Sequence, residues 1–271
     1  MTILLYKFIL GGLAGSIIGF FSLVHRMLTK SGAVAAGLLG ALICGYGPWS
    51  TWLVLLLFFG SSGGIHLLTR KLSNPSATSI TEKGHTRDAF QVTANSLPAL
   101  FCLMLFYYTQ QKLFLIGYVS GIAGATADTW ASEIGTLSKR PPRSILTLKK
   151  VPPGISGGIS PLGLGATLAG SLLIAGVFWL VTAAFSFASY QILLIPLLCG
   201  CINSVIDSLL GAAFQVKYRC KICGALTEKR VHHQEPAIHI AGISWLTNDW
   251  VNFFSGVITI VISFIIGLLI L

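Results

Sequence analysis

Apolar runs recur along this chain at close to the roughly 20 residues that cross a bilayer. They fall near 4–24, 33–46, 50–68, 90–108, 114–131, 163–182, 188–213 and 250–270. The second is short, so the pattern predicts an all-α, polytopic transmembrane helix bundle of seven or eight spans. The polar stretches between the runs are of two kinds. Those near 45–49, 109–113 and 183–187 are brief and almost uncharged, whereas those near 25–32, 69–89, 132–160 and 214–249 carry most of the charge. No soluble domain, long linker or low-complexity segment interrupts the series, which reads as a single integral membrane domain over residues 1–271. Lys7 and the lack of a small-residue cleavage site make the first run a retained helix rather than a removed signal.

Composition agrees. With 54% hydrophobic residues, 10% charged residues and a mean hydropathy of +0.81, the chain lies far from soluble domains, in which about a quarter of residues are charged. Charge then orients the spans. The four longer polar stretches hold 16 of the 18 Lys and Arg residues, leaving only Lys7 and Lys112 on the other side. The positive-inside rule makes that face cytoplasmic and both termini non-cytoplasmic. The eight acids gather on or just inside the same face, so the available chemistry is concentrated at one membrane surface. A net charge of +10 there also attracts anionic headgroups or a phosphorylated ligand. Nucleic acid is excluded as a partner, because no folded basic domain stands outside the membrane.

Within this frame a few polar residues stand out. In "ATADTWASEIG", Asp128 and Glu133 end a long apolar run, and an acid at such a depth marks a functional site. They are five residues apart, roughly 140° around a helix, so both face one ion only if the helix breaks or one of them does another job. Asp207 in "NSVIDSLLGAAFQ" and Asp249 in "WLTNDWVN" hold similar positions at other span ends, with Asn203, Asn248 and Asn252 nearby. Three aspartates converging on one surface suit Mg2+, which takes oxygen ligands and bridges carboxylates to phosphates. The competing reading is that each acid ties helices together through a basic partner. Lys83, Arg87, Gln91 and Asn95 recur every four residues and on a helix form one slanting polar stripe entering the fourth span, suited to an anionic group with a lipid tail. Snorkelling charges and interhelical amides would give the same pattern.

The stretch "KKVPPGISGGISPLG" sets Lys149 and Lys150 before Gly154, Gly157 and Gly158, a composition that lets backbone N–H groups approach phosphate oxygens. No Walker A pattern occurs, which argues against a P-loop site. Cys220 and Cys223 form "CKIC", and His232, His233 and His239 follow. This donor set could hold zinc, although its spacing is not that of a standard finger. Cys44, Cys102, Cys199 and Cys201 read as small core residues, and Gly11, Gly15 and Gly19 as a helix-packing face.

Six blocks, "FFGSSGG", "RDAFQVTAN", "ATADTWASEIGTLSK", "KKVPPGISGGISPLG", "IDSLLGAAFQVKYRC" and "WLTNDWVNFFSG", occur in order over roughly residues 58–256. In them the chain resembles the integral membrane family that includes the plant and cyanobacterial phytyl-phosphate kinases of vitamin E synthesis and the animal transmembrane protein 19. It is more distantly similar to the CTP-using dolichol and phytol kinases. The resemblance implies a Mg2+-dependent enzyme of a bacterial inner or thylakoid-type membrane. Such an enzyme transfers a phosphoryl group from CTP to a prenyl monophosphate, phytyl phosphate being the type substrate, as in tocopherol and phylloquinone precursor supply.

Combined with the residues, it gives a set of expectations. Asp128, Asp207 and Asp249 hold the metal, and Asp128, Glu133, Asp207, Lys83 and Arg87 serve catalysis. Lys83, Arg87, Gln91 and Asn95 grip the prenyl phosphate. Lys149, Lys150, Gly154, Gly157, Gly158, Asn248 and Asp249 bind the nucleotide. The alternatives are a prenol kinase and a lipid-phosphate or anion transporter, the latter expected to carry polar residues across the whole membrane.

Overall fold

The computed structural model describes residues 2–72, 86–183 and 190–270. Among them the eight apolar runs form eight helices: α1 (Thr2–Val24), α2 (Lys30–Tyr46), α3 (Trp49–Leu72), α4 (Ala89–Thr109), α5 (Lys112–Gly135), α6 (Pro161–Ala183), α7 (Tyr190–Ala213) and α8 (Asn248–Ile270). Six, α1, α3, α4, α6, α7 and α8, are long and apolar enough to cross a membrane, and α2 is a shorter apolar helix. Helix α5 has the length of a span, but glycine, serine and threonine dilute it. It needs no greasy exterior, because α3, α4, α6, α7 and α8 surround it and every residue from Ile116 to Ala127 is buried. Small residues let the neighbours close in: a Cβ on Gly121 would lie 3.0 Å from that of Ala99 on α4, and one on Gly124 would lie 2.8 Å from that of Asn203 on α7. The Tyr118 hydroxyl, fully buried, donates to the Thr51 carbonyl at 2.7 Å and ties α5 to α3.

At the periphery, α1 packs on α2 through Gly11, Gly15 and Gly19, as the spacing predicts. A Cβ at Gly11 would lie 2.3 Å from that of Cys44, and one at Gly19 would lie 2.8 Å from the Ala33 carbonyl oxygen.

The four-residue stripe is not continuous. Asp88 is an extended N-cap whose carboxylate accepts from Gln91 N at 2.9 Å while the Gln91 amide oxygen accepts from Asp88 N at 3.2 Å. This capping box starts α4 at Ala89 and leaves Arg87 outside the helix. Arg87 is held instead by a short strip of backbone pairing, with its N–H on the Met27 carbonyl at 2.9 Å and its carbonyl accepting from Thr29 N at 3.0 Å. Lys83 lies outside the described residues.

Among the described residues the strands are confined to two connections at the charged end. In the first, β1 (Arg143–Ser144) pairs antiparallel with β2 (Gly158–Ile159). In the second, β3 (Lys217–Arg219), β4 (Leu226–Thr227) and β7 (Ile238–Ala241) form a sheet in the order β4-β3-β7, and β5 (Val231–His232) pairs with β6 (Glu235–Pro236) as a hairpin. This small module is pinned to the bundle at both ends. Val216 N donates to the Leu246 carbonyl at 3.0 Å and Ile243 N to that of Phe214 at 2.9 Å. Lys217 Nζ donates to the carbonyls of Gly211 and Ala212, at 2.9 and 2.8 Å, satisfying the exposed C-terminal end of α7 with a cation.

Candidate functional site

The helix ends at the charged face do not meet. They leave a cavity of about 400 Å3 whose wall is completed by residues 153–160 and by the β module. Helix α5 contributes Asp128, Thr129, Ser132 and Glu133, and α7 contributes Asp207 and Ser208. Helix α8 adds Asn248, Asp249 and Asn252, while Gln91 and Asn95 come from the start of α4 and Arg87 from just before its cap. Glu228, just after β4, closes the set. Beneath lies a void of about 10 Å3 bordered by Asn95, Asp128, Asn203, Asp207 and Asn252. Asp128 and Asp207 therefore share both spaces.

The sequence left open how Asp128 and Glu133 could serve one site. Helix α5 runs unbroken to Gly135, and Glu133 has a second job. Its Oε1 lies 3.0 Å from His66 Nδ1, and its Oε2 accepts from the Thr69 hydroxyl at 2.7 Å. His66 and Thr69 sit three residues apart on one face of α3, so Glu133 is oriented from the side while still bordering the cavity. Asp207 Oδ2 accepts from the Ser255 hydroxyl at 3.1 Å, and Asn203 Oδ1 from that of Thr259 at 2.8 Å. Asp249 is buried at the N-terminus of α8, where the helix dipole favours an anion.

Five of the chain's eight acids border the cavity: Asp128, Glu133, Asp207, Glu228 and Asp249. Arg87 is the single Lys or Arg among the described residues of the wall. Burial lowers the Arg87 pKa from its ordinary value, while Glu133 and then Asp128 work to keep the charge. Burial likewise lowers Lys217, and Glu228 opposes it. Asn252 Oδ1 is buried with no hydrogen-bond partner among the described residues, although it faces both spaces. A wall of carboxylates with an orphaned amide oxygen is the donor chemistry that Mg2+ takes.

The 153–160 segment is held tightly. Gly157 has φ +80, and a Cβ there would lie 2.4 Å from that of Ala212, so this glycine brings the loop onto the end of α7. Ser156 donates its N–H and its hydroxyl to Glu228 Oε1 at 3.0 and 2.6 Å. The N–H groups of Ile155 and Gly158 are taken by the carbonyls of Pro152 and Ile155. Gly154, Gly157 and Gly158 thus wall the cavity, but the backbone donors of Ile155, Ser156 and Gly158 are already used. Lys149 and Lys150 are not brought to the site. They are exposed on a tight turn in which Ser144 N donates to the Lys149 carbonyl at 2.9 Å and Lys150 bridges to Arg143.

Of the residues singled out in the sequence, Arg87, Gln91, Asn95, Asp128, Glu133, Gly154, Gly157, Gly158, Asp207, Asn248 and Asp249 border one cavity. His66, Thr69, Ser156 and Glu228 were not singled out. A lone histidine inside the α3 run was the one available sign of the first pair.

Away from the cavity, the β3–β4 turn and the β5–β6 hairpin bring Cys220, Cys223, His232 and His233 together, with one donor atom from each within 4.8 Å of the others. The Cys223 backbone N–H, followed by the His232 side chain, pulls the Cys220 thiol down to about 6. His239 lies elsewhere, its ring nitrogen 3.1 Å from the Gly242 carbonyl.

A family model described as integral membrane protein DUF92 matches residues 13–260. Protein PGR of Arabidopsis thaliana is 31% identical over 94% of this chain and 94% of its own length. An uncharacterized membrane protein of Methanocaldococcus jannaschii is 34% identical over 71% of this chain and 76% of its own. Another, from a Synechocystis strain, is 28% identical over 71% and 74% respectively. No solved structure matches.

Proposed function

Because this chain belongs to the integral membrane protein family DUF92, we propose that it is a membrane-embedded phosphotransferase, which makes a prenyl diphosphate from a prenyl monophosphate with CTP as donor. The active face is the basic one, which the positive-inside rule makes cytoplasmic. One observation carries the reading: five carboxylates and a single guanidinium border a cavity at the membrane surface. Such a wall repels a bare phosphate and admits one only together with divalent cations. Asp128, Asp207 and Asp249 are the residues that would hold Mg2+, and Asn252 Oδ1 offers a further oxygen. When bound, the metal supplies neutralisation of the charge on the transferring phosphoryl group.

The chain's own residues then have separable tasks. Arg87 binds the acceptor phosphate, with Gln91 and Asn95 below it. Asn95 Nδ2 donates to the Gln91 carbonyl at 2.9 Å, which fixes its orientation. Glu133, clamped by His66 and Thr69, helps keep the Arg87 guanidinium charged. The 153–160 segment and Glu228 wall the cavity and limit the entry of water. A phosphate monoester is nucleophilic near neutral pH, so alignment and charge neutralisation contribute more than a strong base. For the lipid chain, Phe90, Trp250 and Phe254 form an aromatic seam between α4 and α8, with Phe90 and Trp250 centroids 5.4 Å apart and Trp250 stacked on Phe254 at 5.8 Å.

A transporter is less well supported, because below the small void α5 is buried by its neighbours from Ile116 to Ser120. The test is purified protein in nanodiscs with phytyl phosphate, Mg2+ and each γ-labelled nucleoside triphosphate in turn. Labelled phytyl diphosphate, formed best with CTP, is the expected result. Product only with phytol as acceptor would make it an alcohol kinase. No product from any pair would overturn the kinase reading.

A further inference from the structure

The β module at 217–241 has little with which to hold itself together. Tyr218, Cys220, Thr227 and Glu228 are buried, but Ile222, Val231, Ile238 and Ile240 are exposed. Segments of this size ordinarily need a staple of disulfide or metal in place of a core. Four side chains are positioned to supply one.

Cys220 and Cys223 occupy the turn between β3 and β4. Cys220 N donates to the Ala225 carbonyl at 3.0 Å, Gly224 N to that of Cys220 at 3.1 Å, and Gly224 turns the chain at φ +68. Within this turn the Ile222 N–H points at the Cys220 sulfur at 3.4 Å, as backbone donors do towards a thiolate that carries charge. Opposite stands the β5–β6 hairpin, where His232 pairs with Glu235 across the two-residue turn His233-Gln234. Both turn residues are left-handed, at φ 52 and 63, in a turn type that ordinarily takes Asn-Gly. That conformation turns the two imidazoles side by side, their centroids 4.3 Å apart, towards the cysteines.

We propose that Cys220, Cys223, His232 and His233 bind a zinc ion that staples the two hairpins of this module. Their donor atoms lie within 4.8 Å of one another, and Cys223 Sγ is 3.8 Å from His232 Nδ1. Tetrahedral Zn2+ with sulfur at about 2.3 Å and nitrogen at about 2.0 Å sets its ligands roughly 3.3–3.8 Å apart, so the cluster closes on the ion with small side-chain rotations. Two sulfurs and two imidazoles favour zinc over the oxygen-seeking Mg2+. Four protein ligands leave no open position, which makes the site structural. Between the two hairpins the chain runs through Glu228, whose carboxylate holds Ser156 at the cavity wall. The ion therefore supports the cavity from outside without touching it.

The experiment uses the full chain purified in detergent from cells grown with zinc, with its metals measured by mass spectrometry and its free thiols counted. Expected is about one zinc per chain, and for protein reloaded with Co2+ the intense absorption of a tetrahedral site with thiolate charge transfer. Cys223→Ser and His232→Ala should lose the metal and become trypsin-sensitive between Lys217 and Arg230, whereas His239→Ala should keep both metal and resistance. The wild-type metal content and cobalt spectrum do not depend on any variant folding. Zinc-free protein, a Cys220–Cys223 disulfide, a cobalt spectrum without thiolate bands, or full loading of Cys223→Ser would each overturn the proposal.

Discussion

Ser156 gives both its backbone N–H and its hydroxyl to one oxygen of Glu228, at 3.0 and 2.6 Å, across 72 residues of sequence. Glu228 is 3% exposed, so its charge is held by these donors and its other neighbours rather than by water. Hydrogen bonds to a charged group contribute about 1.5–3 kcal/mol. Glu228→Gln should loosen the 153–160 segment by an amount in that range, while Ser156→Ala, which keeps the backbone donor, should cost less. Thermal unfolding in detergent together with the rate of proteolysis in the 136–160 connection measures both. Equal effects of the two variants would mean that the hydroxyl carries the whole contact.

Gly157 is the second point at which that segment is fixed. An alanine there must adopt φ near +80 and push its Cβ into Ala212. The left-handed conformation alone costs about 1–2 kcal/mol. Gly157→Ala should therefore lift the loop from α7, with activity falling more than thermal stability. Gly165, on α6 with open space around its would-be Cβ, is the comparison. Gly165→Ala should change neither, and a loss there equal to that at position 157 would show that the assay reports general fragility.

Asp128 and Asp207 border the same two spaces, yet only Asp207 has a hydroxyl donor from Ser255. In the proposed reaction Asp128→Asn should lower turnover on the order of 10²–10³-fold, the scale for loss of one electrostatic stabiliser. Fold and insertion should be kept, because an amide is easier to bury than a carboxylate. The Mg2+ concentration for half-maximal activity should rise in Asp128→Asn and likewise in Asp207→Asn. A normal Mg2+ response in Asp128→Asn would remove Asp128 from the metal site.

The helices were legible because each apolar run has the length of a span, and even α5 stood out although its exterior is protein rather than lipid. The residues of the candidate site were legible for a related reason: an acid is costly in such surroundings, so Asp128, Asp207 and Asp249 stood out from three separate helix ends, and they border one cavity. What escaped the sequence depends on partners far apart in the chain. Nothing near Glu228 signals Ser156, and nothing near Glu133 signals His66. The stripe through Arg87 misled because spacing by four takes a continuous helix for granted, whereas the capping box at Asp88 and Gln91 starts the helix at Ala89, after Arg87. Lys149 and Lys150 misled for the opposite reason, since adjacency to glycines in sequence became a tight turn that carries them outward.

Arg87 offers the sharpest division between binding and folding. Its position depends on backbone bonds to Met27 and Thr29, at 2.9 and 3.0 Å, which a substitution leaves in place. Its guanidinium is the only Lys or Arg charge among the described residues of the cavity wall. Arg87→Gln should leave thermal stability close to that of the parent and weaken the acceptor phosphate by about 1.5–3 kcal/mol, the strength of a charged hydrogen bond. That corresponds to roughly a 10- to 100-fold rise in KM for the prenyl phosphate. Arg87→Lys should recover only part of it, because a point charge lacks the planar fork that meets two phosphate oxygens. The measurement is KM for acceptor and for nucleotide, each at saturation of the other. A rise confined to the nucleotide would move Arg87 to the donor side of the cavity and leave Gln91 and Asn95 to hold the acceptor without it.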